Sequence, residues 1–185
     1  MFTKRTRLRV LHGTVSLVFS AALALAQTKP PGAQVPKITG RTLDDQEITL
    51  PDAASGRVTL LLLGASKKGG DRTKLWKDHF LGDFASEPSA TYYVVALLER
   101  APSMFRGMIR NGMRSGTPVT QRAHVLTCVS GENDLLKYFD LTDDSLPVVL
   151  LLDRSGYSLW VYKGQYDDSQ YQALRAAIQT SLGRK

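Results

Sequence analysis

The sequence has one cysteine, Cys128, among 185 residues. No disulfide can form within the chain, and the Cys-x-x-Cys pair that thiol–disulfide exchange uses is absent. Cys128 lies in the apolar segment from His124 to Val129, which predicts a strand and a buried thiol that packs as a small apolar group. The alternative is a reactive thiol, since an unpaired cysteine in an exported protein can act as a nucleophile or join two chains.

Other reactive groups are also sparse. Of the three histidines, His12 falls in the N-terminal segment, and His79 and His124 have no acidic residues at ligand spacing, so we expect structural roles for them. Neither the Gly-x-Ser-x-Gly sequence of serine hydrolases nor the Gly-x-x-x-x-Gly-Lys-Ser/Thr phosphate loop occurs. The sequence thus predicts no cofactor and no metal.

The first 26 residues have the three parts of a secretory signal. Four basic residues precede an apolar run from Val10 to Leu25, and small residues stand at 24 and 26. We predict a signal peptide over 1–26 and export to the periplasm or the extracellular space; if the segment is not cleaved, it becomes a membrane anchor. Cleavage lowers the formal net charge from +7 to +3, too small an excess to favour nucleic-acid binding.

Residues 27–35 are predicted to form a flexible tether and 36–185 a single domain without internal repeats. In this domain, apolar runs that suit buried strands alternate with segments of helical periodicity. The predicted strands are a hairpin over 38–50 and segments 57–65, 91–98, 122–129, 147–153 and 157–162; the predicted helices are 71–84, 103–114, 132–139 and 169–182. In the first helix the inward residues are predicted to be Leu75, Trp76, His79, Phe80 and Phe84. This alternation predicts a layered α/β domain.

This order of elements resembles that of the thioredoxin-like superfamily. The resemblance extends to the segment Ser145-Leu146-Pro147-Val148-Val149-Leu150-Leu151-Leu152-Asp153-Arg154-Ser155-Gly156. The resemblance implies a three-layer α/β fold with a central mixed sheet and the N-terminal hairpin extension of the exported thiol-reductase and peroxiredoxin branches. It also implies a cis peptide bond before Pro147, opposite the active-site loop; the alternative is a trans proline at the start of a strand.

A second resemblance covers a stretch that starts at Met104 and ends at Gly164, including the turn after Asp153 and the strand that contains Trp160. It is similar to the thioredoxin-like assembly factors of mitochondrial ATP synthase. This similarity implies a protein that binds a subunit of a membrane complex as a chaperone.

The position at which thioredoxin-like proteins carry their redox cysteines is occupied by Lys67, Lys68, Gly69 and Gly70. The segment from Ala65 to Gly69 resembles the glutathione peroxidase loop, with Lys68 in place of the redox residue. Since a lysine cannot form a mixed disulfide, the resemblance implies a redox-inactive member. Backbone amides and two ammonium groups could instead bind an anion, or the loop could simply be solvated.

The predicted helix after Pro102 carries two stripes. Met104, Phe105, Met108 and Ile109 form an apolar stripe, and Arg106, Arg110 and Arg114 recur every four residues. In one interpretation the apolar stripe covers the sheet and the arginines face water. In the other, the helix binds an apolar protein partner or an anionic lipid surface.

From the sequence we predict an exported, redox-inactive thioredoxin-like domain that binds a protein partner, such as a membrane-complex subunit, and assists its assembly, with peripheral membrane contact as a further expectation. The alternative is an atypical thiol-dependent peroxidase or oxidoreductase that uses Cys128. The candidate partner-binding residues are Lys67, Lys68, Gly69, Gly70, Met104, Arg106, Met108, Arg110, Arg114 and Pro147.

Overall fold

Seven strands and four helices make up the computed structural model, which describes residues 32–184. The strands are β1 (Ile38–Thr42), β2 (Glu47–Leu50), β3 (Val58–Gly64), β4 (Ala90–Leu97), β5 (Val125–Cys128), β6 (Val148–Leu152) and β7 (Ser158–Lys163). The helices are α1 (Lys67–Phe84), α2 (Ser103–Gly116), α3 (Glu132–Tyr138) and α4 (Asp168–Ser181). The predicted α/β class and the N-terminal hairpin are confirmed.

The strands form one mixed sheet in the order β2-β1-β5-β4-β3-β6-β7. β3, β4 and β5 run parallel, and β1, β6 and β7 join by antiparallel pairing. β3 lies between β4 and β6, and all seven of its residues are buried, as its continuous apolar sequence predicts. The carboxyl ends of β3 and β4 therefore meet at one edge of the sheet, where α1 begins.

Alternate residues of β3 point to opposite faces and supply two apolar clusters. Leu60 packs in the cluster that contains Trp76 of α1 and Leu174 of α4. Leu61 packs in the other cluster, with Leu135 of α3. Helices thus cover both faces of the sheet, which gives the predicted three layers.

The start of α1 differs from the prediction. The helix begins at Lys67 and not at Asp71, because the Ser66 hydroxyl caps it and the two glycines form part of its first turn. Its buried stripe contains Thr73, Trp76, Phe80 and Phe84, whereas Leu75 is 56% exposed and His79 is also exposed. The inward placement of Leu75 and His79 was therefore wrong: the buried face is centred on Trp76.

Two further differences concern β5 and Pro147. β5 begins at Val125, since residues 119–124 form a 3₁₀ turn before it. The cis peptide bond of the described residues joins Leu50 to Pro51. The bond before Pro147 is therefore trans, which corrects the cis bond implied by the resemblance.

The predicted signal peptide, residues 1–26, lies outside the described residues, as do residues 27–31 of the predicted tether. The end of that tether is ordered against β7: the Gly32 amide donates to the Ser158 carbonyl at 2.6 Å, and the Ser158 amide donates to the Ala33 carbonyl at 3.0 Å. Val35 is buried in the core. Within residues 32–184, no helix has the length and apolar character that a membrane span requires.

Candidate functional site

A groove of about 780 Å³ lies where β3 and β4 end and α1 begins. One wall is formed by residues 64–67, 70 and 71 at the start of α1, and the floor by residues 94–98 at the end of β4. The opposite wall is α2, which contributes Met108, Ile109 and Met113. Of the predicted binding residues, Lys67 and Gly70 line one side of this groove and Met108 lines the other.

The wall at the start of α1 is tightly packed. The Ser66 hydroxyl accepts a hydrogen bond from the Gly69 amide at 3.1 Å and donates one to the Asp144 carbonyl at 2.8 Å. A Cβ added at Gly69 would lie 2.6 Å from that same carbonyl, and one at Gly64 would lie 2.7 Å from the Cα of Gly70. Because these contacts leave no room for a side chain at position 64 or 69, packing alone explains the glycines there, and no ligand is required.

The two lysines of the predicted anion site extend into solvent. The Lys67 ammonium pairs with the Asp71 carboxylate at 2.6 Å, one helical turn away, and both side chains are largely exposed. Lys68 is also exposed. An anion at this position would have to compete with Asp71 for Lys67, so the arrangement suits a solvated helix end better than an anion site.

Polar groups at the rim of the groove converge on Arg100. Its guanidinium lies 3.9 Å from the Glu132 carboxylate and 3.5 Å from that of Asp144. Glu132 is buried, and it also accepts a hydrogen bond from the Arg100 amide at 3.2 Å. These contacts connect the start of α3 to the segment that precedes β6, and they fix the rim next to Ser66.

Three of the four residues of the apolar stripe of α2 face solvent. Met104 is 80% exposed and Met108 65%, and Phe105 is exposed as well. No residue of α2 is buried; Ile109 and Met113 are half-buried along the groove. The interpretation in which this stripe covers the sheet is therefore wrong.

The arginine stripe of α2 has the opposite orientation and holds the helix to the domain. Arg106 donates to the carbonyls of Glu99 and Ala101 at 2.5 and 2.9 Å. Arg110 donates to the Thr42 carbonyl and lies 2.9 Å from one oxygen of the Asp45 carboxylate. These side chains act as attachments and do not form a free cationic surface.

Asp45, in the turn between β1 and β2, forms ion pairs with both Arg110 and Arg114. Arg114 donates to its second carboxylate oxygen at 2.6 Å. This hydrogen bond, and the nearby charges of Arg110 and Arg114, lower the pKa of Asp45 below its ordinary value. Asp45 stays ionised at neutral pH and bridges the two guanidinium groups.

Cys128 ends β5, and its thiol is buried in the core. Only 1% of the residue is exposed, and burial raises the pKa of its thiol to about 12. A raised pKa leaves the thiol protonated, and the protonated form is the unreactive one. The predicted burial of Cys128 is confirmed, and no cationic group contributes to its pKa shift.

Pro147 is buried immediately before β6. Its own carbonyl accepts a hydrogen bond from the Gly164 amide at 3.1 Å. The residues before it, Asp144 to Leu146, lie against Gly69, so Pro147 does neighbour the start of α1. Because it is buried, Pro147 supports this wall without offering a surface to a partner.

No protein-family model matches the sequence, and no curated protein matches it. Solved structures do match. A protein described as the thiol:disulfide interchange protein DsbE of Chlorobium tepidum is 19% identical, covers 83% of this chain and 99% of its own, and gives a TM-score of 0.60. The exposed lipoprotein thioredoxin Etrx1 of Streptococcus pneumoniae is 15% identical over 76% of this chain and 99% of its own, with a TM-score of 0.54.

BsSco, a member of the Sco family of cytochrome c oxidase assembly proteins, is 14% identical over 85% of this chain and 98% of its own, with a TM-score of 0.54. At these identities the likeness shows the fold alone. The chain therefore has the thioredoxin-like fold, as the sequence resemblance implied. The finer similarity to the assembly factors of ATP synthase stays a prediction.

Sequence reasoning missed Ser66 and Asp45. Ser66 carries a detectable signal, since a serine directly before a helix is a common cap, but the two glycines made the segment look like a loop. Asp45 carries no such signal, because it lies 65 positions before Arg110 and only the fold brings the two together.

Proposed function

We propose that this chain is an exported thioredoxin-like domain without thiol chemistry, which binds an apolar segment of a protein partner and assists its assembly. The binding surface is the exposed apolar face of α2 together with the groove beside it. The proposal depends on one observation: the apolar stripe of α2 is largely exposed to solvent, whereas the arginine stripe faces the domain and holds the helix in place.

The composition of this surface supports binding of an apolar segment. Met104, Phe105 and Met108 are exposed together on one helix, and the groove behind them is bordered by further apolar side chains of α2 and β4. Exposed apolar patches of this kind are uncommon on monomeric proteins except at interaction sites. Flexible thioethers also adapt to apolar side chains of different shapes.

The state of the one thiol supports a role without redox chemistry. Cys128 is buried in the core, and its raised pKa disfavours the thiolate that would attack a disulfide or a peroxide. At the start of α1, the resemblance places the redox residue at Lys68, whose ammonium group has no such reactivity. The neighbour BsSco is described as a member of an assembly-protein family, so the fold is compatible with assembly assistance.

Export is proposed from the N-terminal sequence. Four basic residues followed by an apolar run and small residues at 24 and 26 are typical of a cleaved signal. The neighbour from Streptococcus pneumoniae is described as an exposed lipoprotein, which agrees with use of this fold outside the cytoplasm.

Site-specific photocrosslinking in the native envelope tests the binding surface. A photoreactive phenylalanine analogue at position 108 should give a discrete crosslinked product with a partner protein. The same analogue at Ser155, an exposed residue of the turn between β6 and β7, should give none. Phe105→Asp should abolish the product at position 108, because it places a charge in the apolar face.

Two results would contradict the proposal. Equal crosslinking from positions 108 and 155 would show that α2 is not a specific surface. Reduction of insulin disulfides or consumption of peroxide by the purified protein, with loss of that turnover in Cys128→Ala, would show that the chain is a thiol enzyme.

A further inference from the structure

The way in which α2 is attached distinguishes it from the other three helices. Each of the others buries apolar side chains in the core: Trp76 from α1, Leu135 from α3 and Leu174 from α4. α2 buries none. Besides the half-buried Ile109 and Met113, the contacts that attach it are the polar ones of its three arginines, which water can replace more readily than core packing.

The three arginines attach α2 at two places: Arg106 does so near its N-terminal end, and Arg110 and Arg114 do so in its C-terminal half. Arg106 binds the carbonyls of Glu99 and Ala101, which belong to the segment that leads directly into α2. Arg110 and Arg114 instead reach the turn between β1 and β2, and both bind Asp45. The N-terminal attachment is thus local in the chain, and the C-terminal one joins two distant segments.

Asp45 is held in position for this contact. Its φ angle is 73°, in the left-handed region, within the turn of the hairpin. The Asp45 amide donates to the Thr42 carbonyl at 3.1 Å, and the Arg110 guanidinium binds that same carbonyl. Asparagine also tolerates this backbone conformation, so the charge of residue 45 can be removed without forcing the turn to change.

We propose that Asp45, Arg110 and Arg114 form a latch that holds α2 beside the groove, and that release of the latch lets the C-terminal end of α2 move away from the sheet. Release widens the groove and exposes Ile109 and Met113, which line it. This inference rests on the proposed function, since it describes how the same binding surface is regulated. A partner that supplies its own carboxylate to Arg110 and Arg114 would open the latch.

Hydrogen exchange of the whole purified chain tests the latch. Asp45→Asn should speed exchange of the α2 amides by about fivefold or more, because two ion pairs are lost together, while the amides of α1, α3 and α4 keep their rates. Asp52→Asn is the matched control: it removes a carboxylate paired with Lys37 at 2.7 Å, and that pair involves no residue of α2. It should leave α2 unchanged.

Two further measurements keep the test informative if Asp45→Asn folds poorly. Arg114→Gln removes only one of the two ion pairs and should speed α2 exchange in the same direction by a smaller factor. In the wild type, raising the salt concentration should also speed α2 exchange, because the ion pairs of Asp45 are partly exposed and salt screens them, the one with Arg114 more than the one with the less exposed Arg110. In Asp45→Asn, salt should have little effect on α2.

The latch is refuted if α2 exchanges at the wild-type rate in Asp45→Asn, or if all four helices speed up equally. The first result would mean that Asp45 does not hold α2, and the second that it stabilises the whole domain. This readout uses no partner. Failure of the latch therefore leaves the crosslinking result intact, and failure of crosslinking leaves the exchange result intact.

Discussion

Cys128 should resist alkylation in the folded protein by about three orders of magnitude relative to an ordinary cysteine. With a pKa of about 12, about one thiol in ten thousand is ionised at about pH 8. An ordinary cysteine, with a pKa of about 8.5, is about one quarter ionised at the same pH. Because the thiolate is the reacting species, the ratio of these fractions sets the expected slowing, and burial of the sulfur adds to it.

The assay is iodoacetamide labelling at about pH 8, followed by mass spectrometry, with and without concentrated guanidinium chloride. We expect one label per chain in denaturant and almost none without it over the same time. Cys128→Ala is the blank and should take up no label in either condition. Labelling of the native protein at a rate within about tenfold of free cysteine would refute the argument from burial and pKa.

The same pKa shift predicts how stability depends on pH. The pKa of Cys128 is raised in the folded state, so the folded chain keeps the thiol proton at pH values where the unfolded chain has lost it. The stabilising contribution is therefore complete below about pH 8.5 and is lost as the pH rises toward 12. The loss is about 1.4 kcal/mol per pH unit within that window.

Comparison with Cys128→Ala isolates this contribution, because the other titrating groups are common to both chains. Above about pH 8.5, the free energy of unfolding of the wild type should fall relative to that of the variant by about 1.4 kcal/mol per pH unit. Urea titrations at several pH values measure it. A difference that stays constant with pH would mean that the thiol titrates alike in the folded and unfolded chains.

Three further predictions concern stability, measured from denaturant midpoints. Gly40→Ala should destabilise the domain by about 1–3 kcal/mol, because the added Cβ would lie 2.8 Å from the Cys128 sulfur. Gly112→Ala is the control and should be neutral or stabilising, because the space around Gly112 is open. Equal effects of the two substitutions would contradict the packing argument. Ser66→Ala should cost about 1–2 kcal/mol through loss of the α1 cap, and an unchanged midpoint would show that the cap is dispensable. Met108→Gln should change stability by less than about 0.5 kcal/mol, and a larger loss would mean that this side chain packs.

The strands of the sheet could be predicted because their sequences allow few other structures. β6 consists of valine and leucine, β3 contains four consecutive leucines, and a run that is apolar on both faces fits only the centre of a covered sheet. The bounds of α1 could not be predicted as well. Gly69 and Gly70 are poor helix formers, so they indicated a loop; in the fold, close contact with Asp144 favours glycine at position 69 within the first turn.

The inward face of α1 was also only partly predictable. Leu75 and Trp76 are adjacent and both apolar, so periodicity allows a buried face centred near either residue. The structure centres it on Trp76, which packs against a group of aromatic rings that includes Trp160 and Tyr166, at centroid distances of 6.1 and 5.3 Å. Those rings come from β7 and the segment before α4, and their meeting with α1 depends on the tertiary fold.

The orientation of α2 is the feature of the candidate site that depends most on residues distant in the sequence. The spacing of its methionines and arginines defines two faces, but periodicity does not state which face turns toward the domain. Apolar burial alone would turn the methionines inward. The arginines turn inward because Asp45 and the carbonyls of Thr42, Glu99 and Ala101 accept their hydrogen bonds. The turn between β1 and β2, which carries Asp45, therefore determines which side of α2 faces solvent.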